Sequence, residues 1–343
     1  MGHVSVNLAL IPRFCAMDWE IHYIGSKSGI EKDVVTKIPG VSYHEIETGK
    51  LRRYFDVKNV TDVFRVVKGM AQARTLLKKI RPDVVFSKGG FVSFPVVFAS
   101  KGLKIPSILH ESDLTIGLAN KLSLPFCSLL LTTFEDTQKH IQSIKTQFVG
   151  GIVREEVLGG NKERGRNFLR FERDKPILLV MGGSLGARSV NQALRDNLVK
   201  ITELFNVAHI CGGGNTDESI ESEKYRQFDY LNEELPDVLA ACDMVLSRAG
   251  ANAIFEFLAL NKPMLLVPLP KSSSRGDQIF NAQYFQRKGY AIMLEDEKIN
   301  SENLFDKLLE VYMNGERMSE KMRGQKELGS ISQIVEIILD SKL

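Results

Sequence analysis

The segment ILLVMGGSLGAR, residues 177–188, decides the reading of the fold. Five consecutive apolar residues, Ile177 to Met181, match a strand buried on both faces, as in parallel sheets covered by helices. The run ends in Gly182-Gly183-Ser184-Leu185-Gly186-Ala187-Arg188, where the glycines allow a tight turn that opens a helix. Amides exposed in such a turn, with the dipole of the following helix, attract a diphosphate. The spacing does not fit G-x-x-x-x-G-K-[ST], which disfavours a nucleoside-triphosphate P-loop. No acidic residue clearly ends a second strand about 20 residues later, so dinucleotide binding has poor support. A plain strand-to-helix turn is the competing reading.

Outward from this segment, short apolar runs alternate with amphipathic stretches, the signature of parallel sheets with crossover helices. The strands expected in the first half are Glu20–Ile24, Val41–Ile46, Asp83–Phe86, Ser107–His110 and Leu129–Thr132. In the second half they are Ile177–Met181, Val207–Cys211, Met244–Ser247, Met264–Pro268 and Ala291–Leu294. A chain of 343 residues accommodates two domains. The glycines of FVGGIVR, residues 148–154, mark the hinge, giving domains 1–150 and 151–325. The tail after Asn300 reads as helices only, and residues 326–343 are expected to pack back on the first domain.

Hydrophobic residues make up 43% and charged residues 25%, and no apolar stretch approaches the roughly 20 residues of a membrane-spanning helix, so a soluble globular protein is expected. Asn7 interrupts the apolar run Val4 to Ile11 and no basic segment precedes it, which argues against a signal peptide. Cys15, Cys127, Cys211 and Cys242 lie far apart without C-x-x-C spacing, consistent with reduced thiols that serve in packing. Charge is uneven: residues 50–81 hold ten basic residues against two acidic ones, in a chain of net charge +3. Leu51, Tyr54 and Phe55 sit among the first of these charges, a mixture suited to an anionic membrane surface at Lys50–Phe55. From Asn59 onward a solvated helix with a Val/Phe stripe toward its own core is the simpler reading. No nucleic-acid-reading motif accompanies the charge, so a nucleic-acid partner is not expected.

The second half repeats the first. GARSVNQAL at 186–194 aligns with GHVSVNLAL at 2–10 at an offset of 184, with six of nine positions identical. The second copy follows a strand and a Gly-Gly turn, so by symmetry the first should also. The opening therefore reads as lacking a first strand and half of a glycine loop, an absence that would leave two neighbouring strands unpaired.

Further glycine turns and polar groups stand at other strand ends, where open α/β sheets bind ligands. Ser87-Lys88-Gly89-Gly90-Phe91-Val92-Ser93 is one, and His110-Glu111-Ser112-Asp113 with Gly117 and Asn120 is another. In Ser247-Arg248-Ala249-Gly250-Ala251-Asn252-Ala253-Ile254-Phe255-Glu256, small residues permit close approach at a helix start and Glu256 can accept hydrogen bonds from a ribose diol. In KSSSRGDQIFNA, residues 271–282, Asp277 and Gln278 can read sugar hydroxyls. No D-x-D metal motif lies at a strand end. A diphosphate here would be neutralised by helix dipoles and cationic side chains, with neither metal nor cofactor expected.

Gly2-His3, SKGGFVSFP, HESDLTIGLAN, GGIVR, GGSLGARSVN, SRAGANAIFE and RGDQIFNA stand in an order that resembles the MurG family over essentially the whole chain. The resemblance implies a GT-B architecture, two Rossmann-like doubly wound domains facing across a cleft, with the nucleotide sugar held chiefly by the C-terminal one. It implies a metal-independent, inverting transfer of N-acetylglucosamine from UDP-N-acetylglucosamine to the muramoyl 4-hydroxyl of undecaprenyl-linked lipid I, at the cytoplasmic face of the cell membrane. By position, Arg154 matches the arginine that contacts the donor and Ser184 the serine beside its diphosphate, with Gly183, Gly186, Gly250 and Ala251 lining the same side. Glu256 matches the residue holding the ribose and Gln278 a glutamine on N-acetylglucosamine. Asp277 replaces a second glutamine of some members. His3 is the candidate general base, with His110 and Glu111 as further candidates, and Gly2, Gly89, Gly90, Asp113 and Asn120 lie on the acceptor side. Two other readings stay open: a non-catalytic homologue that only binds UDP-sugar, and a related GT-B enzyme acting on diacylglycerol.

Overall fold

The computed structural model describes every residue except 1–3, 28–29, 50–57, 140, 142–143, 184–185 and 342–343. The chain divides into two compact units, Met1–Ile152 with Gly329–Leu343, and Val153–Leu328.

The first unit runs α1 (Ser5–Cys15), β1 (Ile21–Gly25), α2 (Ile30–Val35), β2 (Val41–Glu45), α3 (Lys58–Ile80), β3 (Val85–Ser87), α4 (Ser93–Gly102), β4 (Ser107–Glu111), α5 (Leu118–Ser123), β5 (Leu129–Thr132), α6 (Glu135–Gln138), β6 (Thr146–Phe148) and β7 (Gly151–Ile152). The second begins with α7 (Glu155–Leu158) and α8 (Lys162–Leu169), and continues with β8 (Ile177–Met181), α9 (Arg188–Asp196), α10 (Leu198–Leu204), β9 (Asn206–Ile210), β10 (Tyr225–Phe228), α11 (Leu235–Ala241), β11 (Met244–Ser247), α12 (Ala251–Ala259), β12 (Met264–Leu266), α13 (Asp277–Lys288), β13 (Ala291–Met293), α14 (Ser301–Met313) and α15 (Gly315–Arg323). The tail then forms β14 (Leu328–Gly329) and α16 (Ile331–Asp340).

The second unit is a six-stranded sheet in the order β10-β9-β8-β11-β12-β13, parallel throughout. The chain builds outward from β8 in one direction, then returns to β11 on its other side. That reversal opens a crevice at the carboxyl ends of β8 and β11, where such sheets take their ligands. β8, β9 and β11 are buried almost throughout, which explains the unbroken apolar sequence of β8 and the largely apolar ones of β9 and β11.

In the first unit the strands β1 to β6 are also parallel, but they form two sheets, β1-β2 and β3-β4-β5-β6, while β7 pairs with β14. On one face, Val6, Leu10 and Phe14 of α1 pack with Ile108, Leu129 and Leu131 of β4 and β5 and with Ile331, Ile334, Val335 and Ile338 of α16. The other face is covered by Ala73 and Leu77 of α3 with Val96 and Ala99 of α4. The tail thus crosses back to complete the first core, and Ser330 caps its helix by accepting from the Gln333 amide at 3.1 Å. The tail is not purely helical, because β14 precedes that cap. Among the described residues, no helix is long and apolar enough to cross a membrane.

Candidate active site

In the second unit the turn after β8 is held open by glycine. Gly183 and Gly186 have φ of 87° and 74°, in the left-handed region, and the Gly186 amide donates to the Gly183 carbonyl at 2.9 Å. A Cβ on Gly186 would lie 2.3 Å from the Cys211 carbonyl oxygen, whereas one on Gly183 would meet nothing within 4 Å. Ser184, the expected diphosphate neighbour, lies outside the described residues.

Three loops meet beside this turn. Gly250 caps α12 at the end of β11, and the Gln278 amide nitrogen lies 3.9 Å from the Cβ position of Gly250. Gln278 accepts from the Leu269 amide at 3.1 Å, and Asn281 donates to the Ala249 carbonyl at 3.2 Å, so the start of α13 is pinned to the β11 and β12 loops. Asp277 pairs with Arg275 at 3.0 Å. Glu256 is buried, and the half-exposed Arg154 donates to it through Nε at 2.8 Å. Residues 102 positions apart are therefore one ion pair.

Arg248 was not singled out by sequence, yet it links these loops. Its buried guanidinium donates to the Val267 and Pro268 carbonyls, to the Asp296 carboxylate and to Ser189 Oγ. Ser189 itself donates to Asp296 at 2.6 Å. The first turn of α9 is thereby tied to the ends of β11 and β12. The only sequence signal was an arginine among small residues at a strand end.

The first unit gathers a second polar group at the ends of β3 and β4. Gly89 and Gly90 both have φ of 88°. The Asn120 amide donates to Glu111 at 2.9 Å and to the His110 carbonyl at 3.1 Å. Glu111 also accepts from the amides of Asp113 and Gly117. Burial raises the Glu111 pKa, against the pull of these donors. Its carboxylate thus organises the turn that carries Asp113. His110 is 1% exposed, and burial, aided by the Lys88 charge, pushes it down to about 3. Its Nδ1 and the Asn120 Oδ1 are buried without partners.

Lys88 is the other residue missed by sequence reasoning. It is 3% exposed, and burial pushes its ammonium down to about 8 although Asp113 and Glu111 pull the other way. An unfolded lysine keeps its proton to about pH 10.4, so between about pH 8 and that value the unfolded chain binds more protons and stability rises with pH. Thermal melts over this window should show that gain in the wild type and lose it in Lys88→Met; parallel profiles would contradict the buried charge.

Residues 1–132 match the glycosyltransferase family 28 N-terminal domain, and residues 177–336 the family 28 C-terminal domain. A UDP-N-acetylglucosamine–N-acetylmuramyl-(pentapeptide) pyrophosphoryl-undecaprenol N-acetylglucosamine transferase of Geobacillus thermodenitrificans is 52% identical over 322 residues, 94% of this chain and 90% of the relative. The enzyme of the same name from Clostridium botulinum is 50% identical over 341 residues, 99% of this chain and 95% of the relative. The chain belongs to the MurG family. The crystal structure of MurG from Acinetobacter baumannii superimposes with a TM-score of 0.78 at 21% identity, covering 99% of this chain and 96% of that one. The fold is accordingly the two-Rossmann GT-B architecture that the resemblance implies. His3 and Gly2, which the MurG resemblance assigns to the acceptor side, lie outside the described residues, as does Lys50–Phe55.

Proposed function

We infer that this protein transfers N-acetylglucosamine from UDP-N-acetylglucosamine to the muramoyl 4-hydroxyl of an undecaprenyl-diphospho-MurNAc-pentapeptide. The observation that carries this reading is near-complete alignment at about half identity with transferases named for that reaction. Because those relatives are transferases, the non-catalytic reading finds no support.

In this reading the second unit holds the donor. Amides of Gly182, Gly183, Gly186 and Ala187 and the N-terminus of α9 face the diphosphate and take up charge as UDP departs, and Ser184 is the serine that the resemblance assigns to its side. Glu256 accepts from the ribose diol, Gln278 and Asp277 read the sugar, Gly250 and Ala251 let it approach, and Arg154 orients Glu256. The first unit holds the acceptor with Gly89, Gly90, Asp113 and Asn120. The acceptor oxygen attacks the anomeric carbon as the bond to UDP breaks, inverting that centre, and its proton passes to a base. His3 is the base of this reading. His110, neutral down to about pH 3, is too weakly basic and too buried to serve. Glu111 acts by shaping its turn.

A peripheral position on an anionic membrane surface is supported by the basic stretch, and the cytoplasmic face is what the MurG resemblance implies. Phe64 and Val67 of α3 are 71% and 58% exposed, beside the exposed Arg65 and Lys68. Replacing both apolar residues by serine should weaken partitioning onto phosphatidylglycerol vesicles in co-sedimentation by about a hundredfold or more, since each apolar side chain inserted contributes about 1.5–3 kcal/mol. Unchanged binding would remove this face from the membrane contact.

The substrate assignment is tested by offering lipid I and diacylglycerol together with labelled UDP-N-acetylglucosamine. Label is expected in lipid I alone. Label in diacylglycerol would transfer the protein to the lipid glycosyltransferases, and no label in either would end the catalytic reading.

A further inference from the structure

A lysine buried at the end of β3 needs a reason, because desolvating an ammonium is costly unless paired carboxylates offset it. The turn that carries Lys88 is fixed on both sides. Ser87 and Ser93 share a hydrogen bond at 2.6 Å, and the Gly89 amide donates to Ser87 Oγ at 3.2 Å. Opposite them the Asn120 side chain lies against Gly89, its Oδ1 3.1 Å from where a Cβ would stand, and Asn120 is the residue that donates to Glu111. The turn of Lys88 and the turn of Glu111 and Asp113 are therefore packed as one. Thr137 of α6 closes the second turn by donating to the Leu114 carbonyl at 2.8 Å.

This cluster holds one cation and two carboxylates. Lys88 and Glu111 are buried, whereas Asp113 is half-buried. The charges that act on Lys88 are those of Asp113 and, less strongly, Glu111. His110, which feels the Lys88 charge, stays neutral at ordinary pH. The neighbouring elements bring no second cation among the described residues: β3 and β5 carry no charge, and α4 and α5 carry only the exposed Lys101 and Lys121. On α6, Glu135 is exposed and Asp136 pairs with Lys139 at 2.6 Å. Two carboxylates this close, one in a dry site, repel each other, and without a counter-charge they share a proton. Coulomb attraction is mutual, so the ammonium that they keep charged keeps them charged.

We propose that Lys88 is a positioning residue for the acceptor: its ammonium keeps Glu111 and Asp113 charged together, so that Glu111 fixes the turn and Asp113 accepts a hydrogen bond from an acceptor sugar hydroxyl. Glu111 already accepts from the Asp113 and Gly117 amides and from Asn120, which leaves the half-buried Asp113 as the carboxylate within reach of a ligand. Lys88 is too buried to touch substrate and acts through the two acids. The acceptor contact rests on the reading that the first unit holds the acceptor; the coupling of the three charges does not.

The test compares wild type, Lys88→Met and the double variant Lys88→Met/Asp113→Asn as full chains with isotope-labelled Asp and Glu carboxyls. In Lys88→Met one carboxyl of the pair should titrate at least about one pH unit higher than in wild type, since losing the cation disfavours the charged form. The double variant has no second carboxylate to repel Glu111, and its titration should move back toward wild type. The acid limb of kcat/KM for lipid I should follow both shifts, with about tenfold less activity per unit at acid pH in Lys88→Met. UDP affinity, set in the second unit, should be equal in all three, which a collapsed fold would not allow. An unmoved carboxyl titration in Lys88→Met would overturn the proposal, as would a double variant that titrates like Lys88→Met. A shifted titration with an unshifted activity profile would overturn the acceptor role. A wild type that labels no lipid I, with the carboxyl shifts present, would sink the substrate reading while supporting the charge coupling.

Discussion

Alanine at Gly186 is expected to remove nucleotide binding, while alanine at Gly183 leaves most of it. Both positions have φ in the left-handed region, so each substitution carries backbone strain of about 1–3 kcal/mol. Only at Gly186 does the new methyl meet a fixed atom, the Cys211 carbonyl oxygen at 2.3 Å. That oxygen is itself held by the Asn191 side chain at 2.9 Å, so neither partner can yield without moving α9. The loop must then open, displacing the amides proposed to face the diphosphate. Calorimetric titration with UDP should show at least ~30-fold weaker binding for Gly186→Ala and less than ~10-fold for Gly183→Ala, following about 1.4 kcal/mol per tenfold. Equal losses at the two glycines would refute the steric argument, and unaltered affinity at both would move the diphosphate elsewhere.

Replacement of Glu256 by alanine should raise the Michaelis constant for UDP-N-acetylglucosamine on the order of a hundredfold with a much smaller change in kcat. Hydrogen bonds to a charged acceptor contribute about 1.5–3 kcal/mol each, and a ribose diol offers two donors. The ribose is remote from the anomeric carbon, so the loss falls on binding shared by ground and transition states. Glu256→Gln keeps one carbonyl acceptor but gives up the charge and the ion pair with Arg154, and should lie between wild type and alanine. Little stability should be lost, because Arg154 is half-exposed and regains water when its partner goes. A donor constant that both variants leave in place, or a collapse of the melting temperature that accounts for the lost activity, would sink the assignment.

Strand identity was readable where burial was complete. β5, β8 and β11 match the sequence reading to the residue, because a strand covered on both faces is largely apolar and stops at its turn. β10, Tyr225–Phe228, and β6, Thr146–Phe148, escaped that reading. Both are edge strands carrying polar residues, and four or fewer such residues are indistinguishable from a loop. Within the candidate site, Glu256 and Gln278 could be named because each follows a small-residue turn at a strand end. Arg248 and Lys88 could not, since burial of a charge depends on partners far away in the chain.

Local pattern alone established the alternation of strands and helices, the glycine turns that demand positive φ, and the 184-residue repeat. These follow from side-chain periodicity and from what a backbone permits at each residue, which neighbours along the chain determine. Strand order was decided only in three dimensions, and with it the meeting of Arg154 with Glu256, the burial of Lys88 and the separation of β1 from β3. Those outcomes depend on which apolar faces cover one another, an exchange between distant segments that no local stretch encodes.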